Sequence, residues 1–117
     1  MHVLFFIALF IVPLGPPTNF TAVLNDTVLS LNWEPPAEDE QNGDITSYFL
    51  QCSIDDEVVF QLNLTIIQSI ELGVYEVDST YSCSIYASNS IGEGSSAYVT
   101  VTTGNKIDNE ITSESEN

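Results

Sequence analysis

Positive charge is almost missing from this chain. Among 117 residues there is no arginine and one lysine, Lys106, against seventeen aspartates and glutamates, for a formal net charge of −16. Thirteen of those acids lie in residues 16–103, where no basic residue occurs, so no Lys or Arg ion pair can form within that stretch. The field around such a surface is negative throughout. It repels nucleic acid, heparin-like polyanions and anionic lipid headgroups, and it suits a basic protein partner or divalent cations. The plain reading is a soluble acidic surface with no specific charge partner.

Histidine is also scarce, with His2 the single example. Without it, Ser-His and Cys-His catalysis and the usual nitrogen metal ligands are excluded from the rest of the chain. The two cysteines, Cys52 and Cys83, do not make a zinc set. No glycine-rich phosphate loop follows a strand and opens a helix. Carboxylate pairs of the glycosidase kind would have to come from loops, with no sign of a deep cleft. No enzyme activity, cofactor or metal is therefore expected, and a small enzyme or calcium-binding protein is the remote alternative. Glu38, Asp39, Glu40 and Asp44 crowd one loop and offer some of the oxygens calcium takes, but not at EF-hand spacing; a solvated acidic loop is the simpler account.

Long apolar runs are absent except at the start, where residues 3–14 read VLFFIALFIVPL. As a helix this run spans about 18 Å, short of a bilayer core of about 30 Å. Its length fits the apolar region of a secretory signal, and residues 1–15 are read as a signal peptide. The n-region has no Lys or Arg, and Pro16 would follow the cut. An uncleaved anchor and a misplaced translation start are the rival readings. At the other end, residues 104–117 are polar and acidic and bury too little to offset ordering entropy, which predicts a disordered tail.

What is present between these ends is period-two alternation in short stretches broken by turn residues, the pattern of an all-β protein. Strands are expected at residues 19–24, 27–33, 45–54, 57–62, 66–72, 81–88 and 95–103. Turns are expected at Asn25-Asp26, Asn42-Gly43, Asp55-Asp56 and residues 89–94. Seven short strands predict a Greek-key β-sandwich. Leu31, Trp33, Leu50 and Ile85 are its expected core.

The order and spacing of several segments resemble the fibronectin type III family over residues 16–103. These are Pro16-Pro17, LSLNWEPP at 29–36, NGDITSYFLQC at 42–52, and YSCSIYASNSIGEG at 81–94. The last is similar to the family's Tyr-x-hydrophobic-x-hydrophobic-x-Ala-x-Asn strand and its Gly-x-Gly loop. An immunoglobulin domain, the nearest rival, has the order Cys, Trp, Cys, whereas here Trp33 precedes both cysteines. Tyr81 is the expected tyrosine corner, returning its hydroxyl to a backbone group upstream. Gly92 and Gly94 are expected to supply positive φ in the last hairpin. The family's Arg-Gly-Asp loop cannot be carried over, because the chain has no arginine.

In that topology Cys52 and Cys83 lie inward on adjacent antiparallel strands and should form a disulfide, with two reduced buried thiols as the alternative in a cytosolic chain. Asn19, Asn25 and Asn63 head Asn-x-Thr glycosylation sequons. If Cys52 opposes Cys83, Phe49 opposes Tyr86 on the outer side. A hairpin centred on Gly92 would then pair Ala87 with Ala97 and bring Tyr98 opposite Tyr86. Phe49, Tyr86 and Tyr98 are thus the candidate binding face, against a purely structural aromatic row. The resemblance implies a secreted or cell-surface protein-binding or adhesion module in a receptor or matrix-type protein. A structural spacer or a fragment of a larger receptor is the alternative. Membrane contact is expected only through an uncleaved N-terminal segment or a further C-terminal part.

Overall fold

The computed structural model describes residues 11–25, 27–74 and 79–102. They form seven strands: β1 (Thr18–Asn25), β2 (Val28–Glu34), β3 (Ser47–Ile54), β4 (Glu57–Leu64), β5 (Ser69–Gly73), β6 (Thr80–Ser88) and β7 (Glu93–Thr102). A three-stranded sheet has the order β1-β2-β5 and a four-stranded sheet the order β4-β3-β6-β7. All pairings are antiparallel. The expected sandwich and its seven strands are present, with boundaries moved by a few residues.

Strand periodicity builds the core directly, because alternate side chains point to one face. Leu29, Leu31 and Trp33 face inward from β2; Tyr48, Leu50 and Cys52 do so from β3; Tyr81, Cys83, Ile85 and Ala87 do so from β6, all buried. Trp33 sits edge-on to Tyr48, with ring centroids 5.7 Å apart, and lies 6.5 Å from Phe20. Tyr81 is buried and stacks on Phe60 at 6.3 Å. The connection at residues 75–78, where a tyrosine-corner partner is expected, lies outside the described residues.

Two turns follow from local chemistry. Asp55 and Asp56 both take positive φ, 51° and 66°, and close the β3–β4 hairpin with Ile54 opposite Glu57. Positive φ at both central positions is the twist-matched hairpin turn that Asp and Asn tolerate. Asn42 and Gly43 take φ of 54° and 118° in the loop before β3, as their sequence predicts. Within the same loop Glu38–Glu40 form one turn of 3-10 helix.

The glycines of the last hairpin act differently from expectation. Gly43 has the one positive φ recorded for a described glycine, so Gly92 and Gly94 do not supply left-handed conformations. They leave room instead. A Cβ on Gly94 would lie 2.8 Å from the Pro13 carbonyl oxygen, and one on Gly92 would lie 3.2 Å from Val12. The N-terminal segment runs past them, held by backbone and side-chain bonds. Leu14 N–H donates to the Glu40 carbonyl at 2.8 Å, and Ser95 Oγ donates to the Leu14 carbonyl at 2.8 Å. Most of the expected leader, residues 1–10, and the expected tail from residue 104 lie outside the described residues. Residues 11–15 pack on the sandwich.

Asn89 organises this end of the molecule. It continues the inward phase of β6 and is the one buried polar residue among those described, 6 % exposed. Its Nδ2 group donates to the carbonyls of Ile11 at 2.9 Å, Asn42 at 3.0 Å and Gln41 at 3.2 Å. Its Oδ1 accepts from the amides of Ile91 and Gly92 at 2.9 and 3.2 Å. One side chain therefore ties the β6–β7 turn to the loop before β3 and to the N-terminal segment. An amide suits this place because it has two donors and an acceptor, and each meets a backbone group that burial would otherwise leave unpaired.

Candidate binding face

The outer face of the four-stranded sheet is read from its register. Cys52 lies opposite Cys83 and the two are joined by a disulfide. That inward pair sets the phase of everything on the outer side. Phe49 lies opposite Tyr86, as expected, and their rings stack with centroids 5.3 Å apart at 29°. Across the sheet this row reads Asn63, Phe49, Tyr86, Ser96. The next row reads Gln61, Gln51, Ser84, Tyr98. Gln61 Nε2 donates to Gln51 Oε1 at 3.1 Å.

Tyr98 departs from the expected register. It pairs with Ser84 rather than Tyr86, and Ala97 pairs with Ile85 rather than Ala87. The cause is the turn. Asn89 Oδ1 gathers the Ile91 and Gly92 amides, Asn89 N–H donates to the Gly92 carbonyl, and the ladder shifts between Tyr86 and Ser88. The hairpin closes earlier than a Gly92-centred loop would. The displacement is two residues, which keeps the phase, so Tyr98 still faces outward. The three aromatics form a stacked pair with Tyr98 on the diagonal from Tyr86, not one straight row.

Exposure separates them. Tyr98 is 77 % exposed, while Phe49 and Tyr86 are half-buried. Small serines, Ser82 and Ser84, flank Tyr98 on the neighbouring strand and leave its ring uncovered. A depression of about 390 Å³ opens beside it, lined among others by Gln51, Ser53, Ser84 and Thr100, with one acid, Asp56. Neither row carries a charged side chain, in a chain of net charge −16. Acids appear at the margin. Tyr86 has its pKa raised by partial burial, by its hydrogen bond to Glu93 and by that carboxylate's charge, so its hydroxyl stays neutral and donates to Glu93.

These elements are diagnostic together: two antiparallel sheets of three and four strands, Trp33 on β2, and the inward row from Tyr81 to Ala87 on β6 with Asn89 just after it. A fibronectin type III domain profile matches residues 15–103. The chain belongs to the fibronectin type III family. It is 34% identical over 89 residues to Roundabout homolog 2 of Homo sapiens, covering 70% of this chain and 6% of that protein. It is 31% identical over 93 residues to Roundabout homolog 1 of Mus musculus, again over 70% of this chain and 5% of that protein. The chain thus spans a small fraction of the length of these relatives. A solved structure of a computationally redesigned β-sandwich protein superposes with a TM-score of 0.66 at 25% identity, covering 78% of this chain and 91% of that one.

The remaining expected sites are placed as follows. Leu31, Trp33, Leu50 and Ile85 are in the core. Asn19, Asn25 and Asn63 are exposed. Asn19 occupies a left-handed position, φ 52°, where the β1 ladder shifts, and its Nδ2 donates to Glu34 Oε1 at 3.1 Å. Among the described residues no three His, Cys, Asp or Glu side chains converge as a metal set. The feature sequence reading missed is the Asn89 clasp. Asn89 stood in the family pattern, but nothing local says that its partners lie up to 78 residues away.

Proposed function

We propose that this chain is a non-enzymatic extracellular binding module that docks a protein partner on the outer face of β3, β6 and β7. Tyr98 is the central contact and the Phe49–Tyr86 stack its rigid flank. The observation that carries this reading is Tyr98 itself: a large aromatic, 77 % exposed, in a cross-strand row without charged side chains, with Glu93 and Asp56 at its margin. Rigid aromatic surface flanked by small polar groups is where interface energy concentrates. The acidic margins favour a partner with basic groups around an uncharged contact, and they disfavour nucleic acid and sulfated polysaccharide. The disulfide supports an oxidising compartment, secreted or at the cell surface. Similarity to Roundabout homologues supports a place in a longer cell-surface protein.

The test is photo-crosslinking from position 98 on cells, with the captured protein then purified and titrated directly. Tyr98→Ser is expected to weaken binding of that protein at least tenfold without changing the melting curve. If the partner binds Tyr98→Ser as well as the native chain, the aromatic face is only structural and the partner docks elsewhere on the domain.

A further inference from the structure

We infer that Asn63 is an N-glycan attachment site and that its first sugar lies on the Phe49–Tyr86 stack, leaving Tyr98 as the uncovered aromatic for a partner. The inference rests on the extracellular reading above. Three observations meet at this position. Asn63-Leu64-Thr65 is an Asn-x-Thr acceptor, and both Asn63 and Thr65 are exposed. Asn63 belongs to β4, the edge strand of its sheet, so nothing in the sandwich covers it from the side. In the register Asn63 lies directly opposite Phe49, and Phe49 directly opposite Tyr86.

Directly opposed cross-strand residues have Cβ atoms about 4.5–5.5 Å apart. A pyranose attached to Asn63 Nδ2 therefore reaches the Phe49 ring by leaning across one strand spacing. The ring pair is stacked at 5.3 Å and anchored by the Tyr86 bond to Glu93, so it presents a fixed apolar floor. The C–H face of a sugar buries apolar surface on such a floor, while its hydroxyls stay in water. The edge strand gains as well, because an attached glycan blocks strand addition at β4, where Val58 and Val59 are 46% and 43% exposed.

The other two sequons lack this arrangement. The Asn19 nitrogen is engaged with Glu34, and Asn25 pairs with Val28 at the end of β1. Neither has an aromatic residue as its cross-strand partner.

The attachment needs a donor of stated class, a polyisoprenyl-pyrophosphate-linked oligosaccharide, and the host transferase. Asn63 Nδ2 bonds to the anomeric carbon, the carbon–oxygen bond to pyrophosphate breaks, Nδ2 loses one proton and the lipid pyrophosphate leaves.

The experiment uses the full chain, sent through the secretory pathway of cultured animal cells behind an appended leader, so that the native N-terminus does not decide the result. Site occupancy is read by mass spectrometry after enzymatic release of glycans, which converts the bearing asparagine to aspartate. Occupied Asn63, lost in both Asn63→Gln and Thr65→Ala, is expected. NMR of the chain trimmed to a single N-acetylglucosamine should show its ring protons shifted upfield by the Phe49 ring current, and Phe49→Leu should return them to free-sugar positions. An unoccupied Asn63 overturns the site. Occupancy with unshifted sugar protons in the native chain overturns the packing, whether or not the Phe49 variant folds. Export of the chain without the added leader is scored separately. Its failure would count against the extracellular reading alone.

Discussion

The two faces of the four-stranded sheet are made from the same strands, residue by residue in alternation, and they share a taste for aromatics. Inward, β3 and β6 offer Tyr48 and Tyr81; outward, one residue along or further, they offer Phe49 and Tyr86. The inner tyrosines are buried, and their surroundings are Trp33, Phe60, a disulfide and aliphatic side chains. The outer rings stand among serine, glutamine and asparagine. Residue type therefore does not decide which aromatic is core. Phase relative to the disulfide decides it, since a strand has only two faces. The same chemical group then has two different values: area removed from water inside, area held available outside.

Substitutions can break that contrast, and the largest effect belongs to the inner face. Replacing Cys52 and Cys83 together by alanine frees a loop with a sequence separation of 31. It should cost about 3–4 kcal/mol in a denaturant melt, on the chain-entropy account. A loss well under 1 kcal/mol would mean that inward packing alone holds β3 to β6. The end of the inward row comes next. Asn89→Ala leaves the carbonyls of Ile11, Gln41 and Asn42 and the Ile91 and Gly92 amides without their partner. The expected cost is about 1–3 kcal/mol, with faster hydrogen exchange at the Leu14 amide. Unchanged exchange there would show that the N-terminal segment holds without the clasp.

A smaller effect should have the opposite sign. The Tyr48 hydroxyl and Trp33 Nε1 are buried without a hydrogen-bond partner among the described residues. Tyr48→Phe removes one such orphan and should stabilise the fold by about 1 kcal/mol. It should also change the alkaline limb. Burial raises the Tyr48 pKa, so the native state holds this proton more tightly than the unfolded chain does. That contribution is full below the ordinary tyrosine pKa of about 10 and is lost as pH rises through the higher native value. The phenylalanine variant should lose less stability between neutral pH and that range. An identical slope would place the alkaline sensitivity elsewhere. The smallest stability effect belongs to the outer face: Tyr98→Ser should stay within about 0.5 kcal/mol in the same melt while removing partner binding. A cost comparable to that of an inner-face change would show that the two faces are less distinct than their exposure implies.

Several features were legible before any coordinates. Alternation marked Leu31, Trp33, Leu50 and Ile85 as inward, and all four are buried. In an antiparallel pair one correct partnership determines the rest, so placing Cys52 against Cys83 also placed Phe49 against Tyr86. Reasoning of that kind stops at an irregularity. The ladder shift between Tyr86 and Ser88 moved Tyr98 by two residues. Gly92 and Gly94 looked like turn glycines because sequence shows a missing side chain but not why it is missing.

Apart from the disulfide partners, which the family resemblance put on neighbouring strands, the order of residues by itself determined the seven strands, the inward and outward sets and the acidic character of the surface. These depend on periods of two, on turn chemistry within four residues, and on composition, all of which are local or global sums. Only the tertiary structure decided the register of β7, the room that Gly92 and Gly94 leave for Val12 and Pro13, and the convergence of three backbone segments on Asn89. Those are contacts between segments far apart in the chain, and no periodicity encodes them. They come into being when the sheets close and buried backbone groups must find partners in whatever lies beside them.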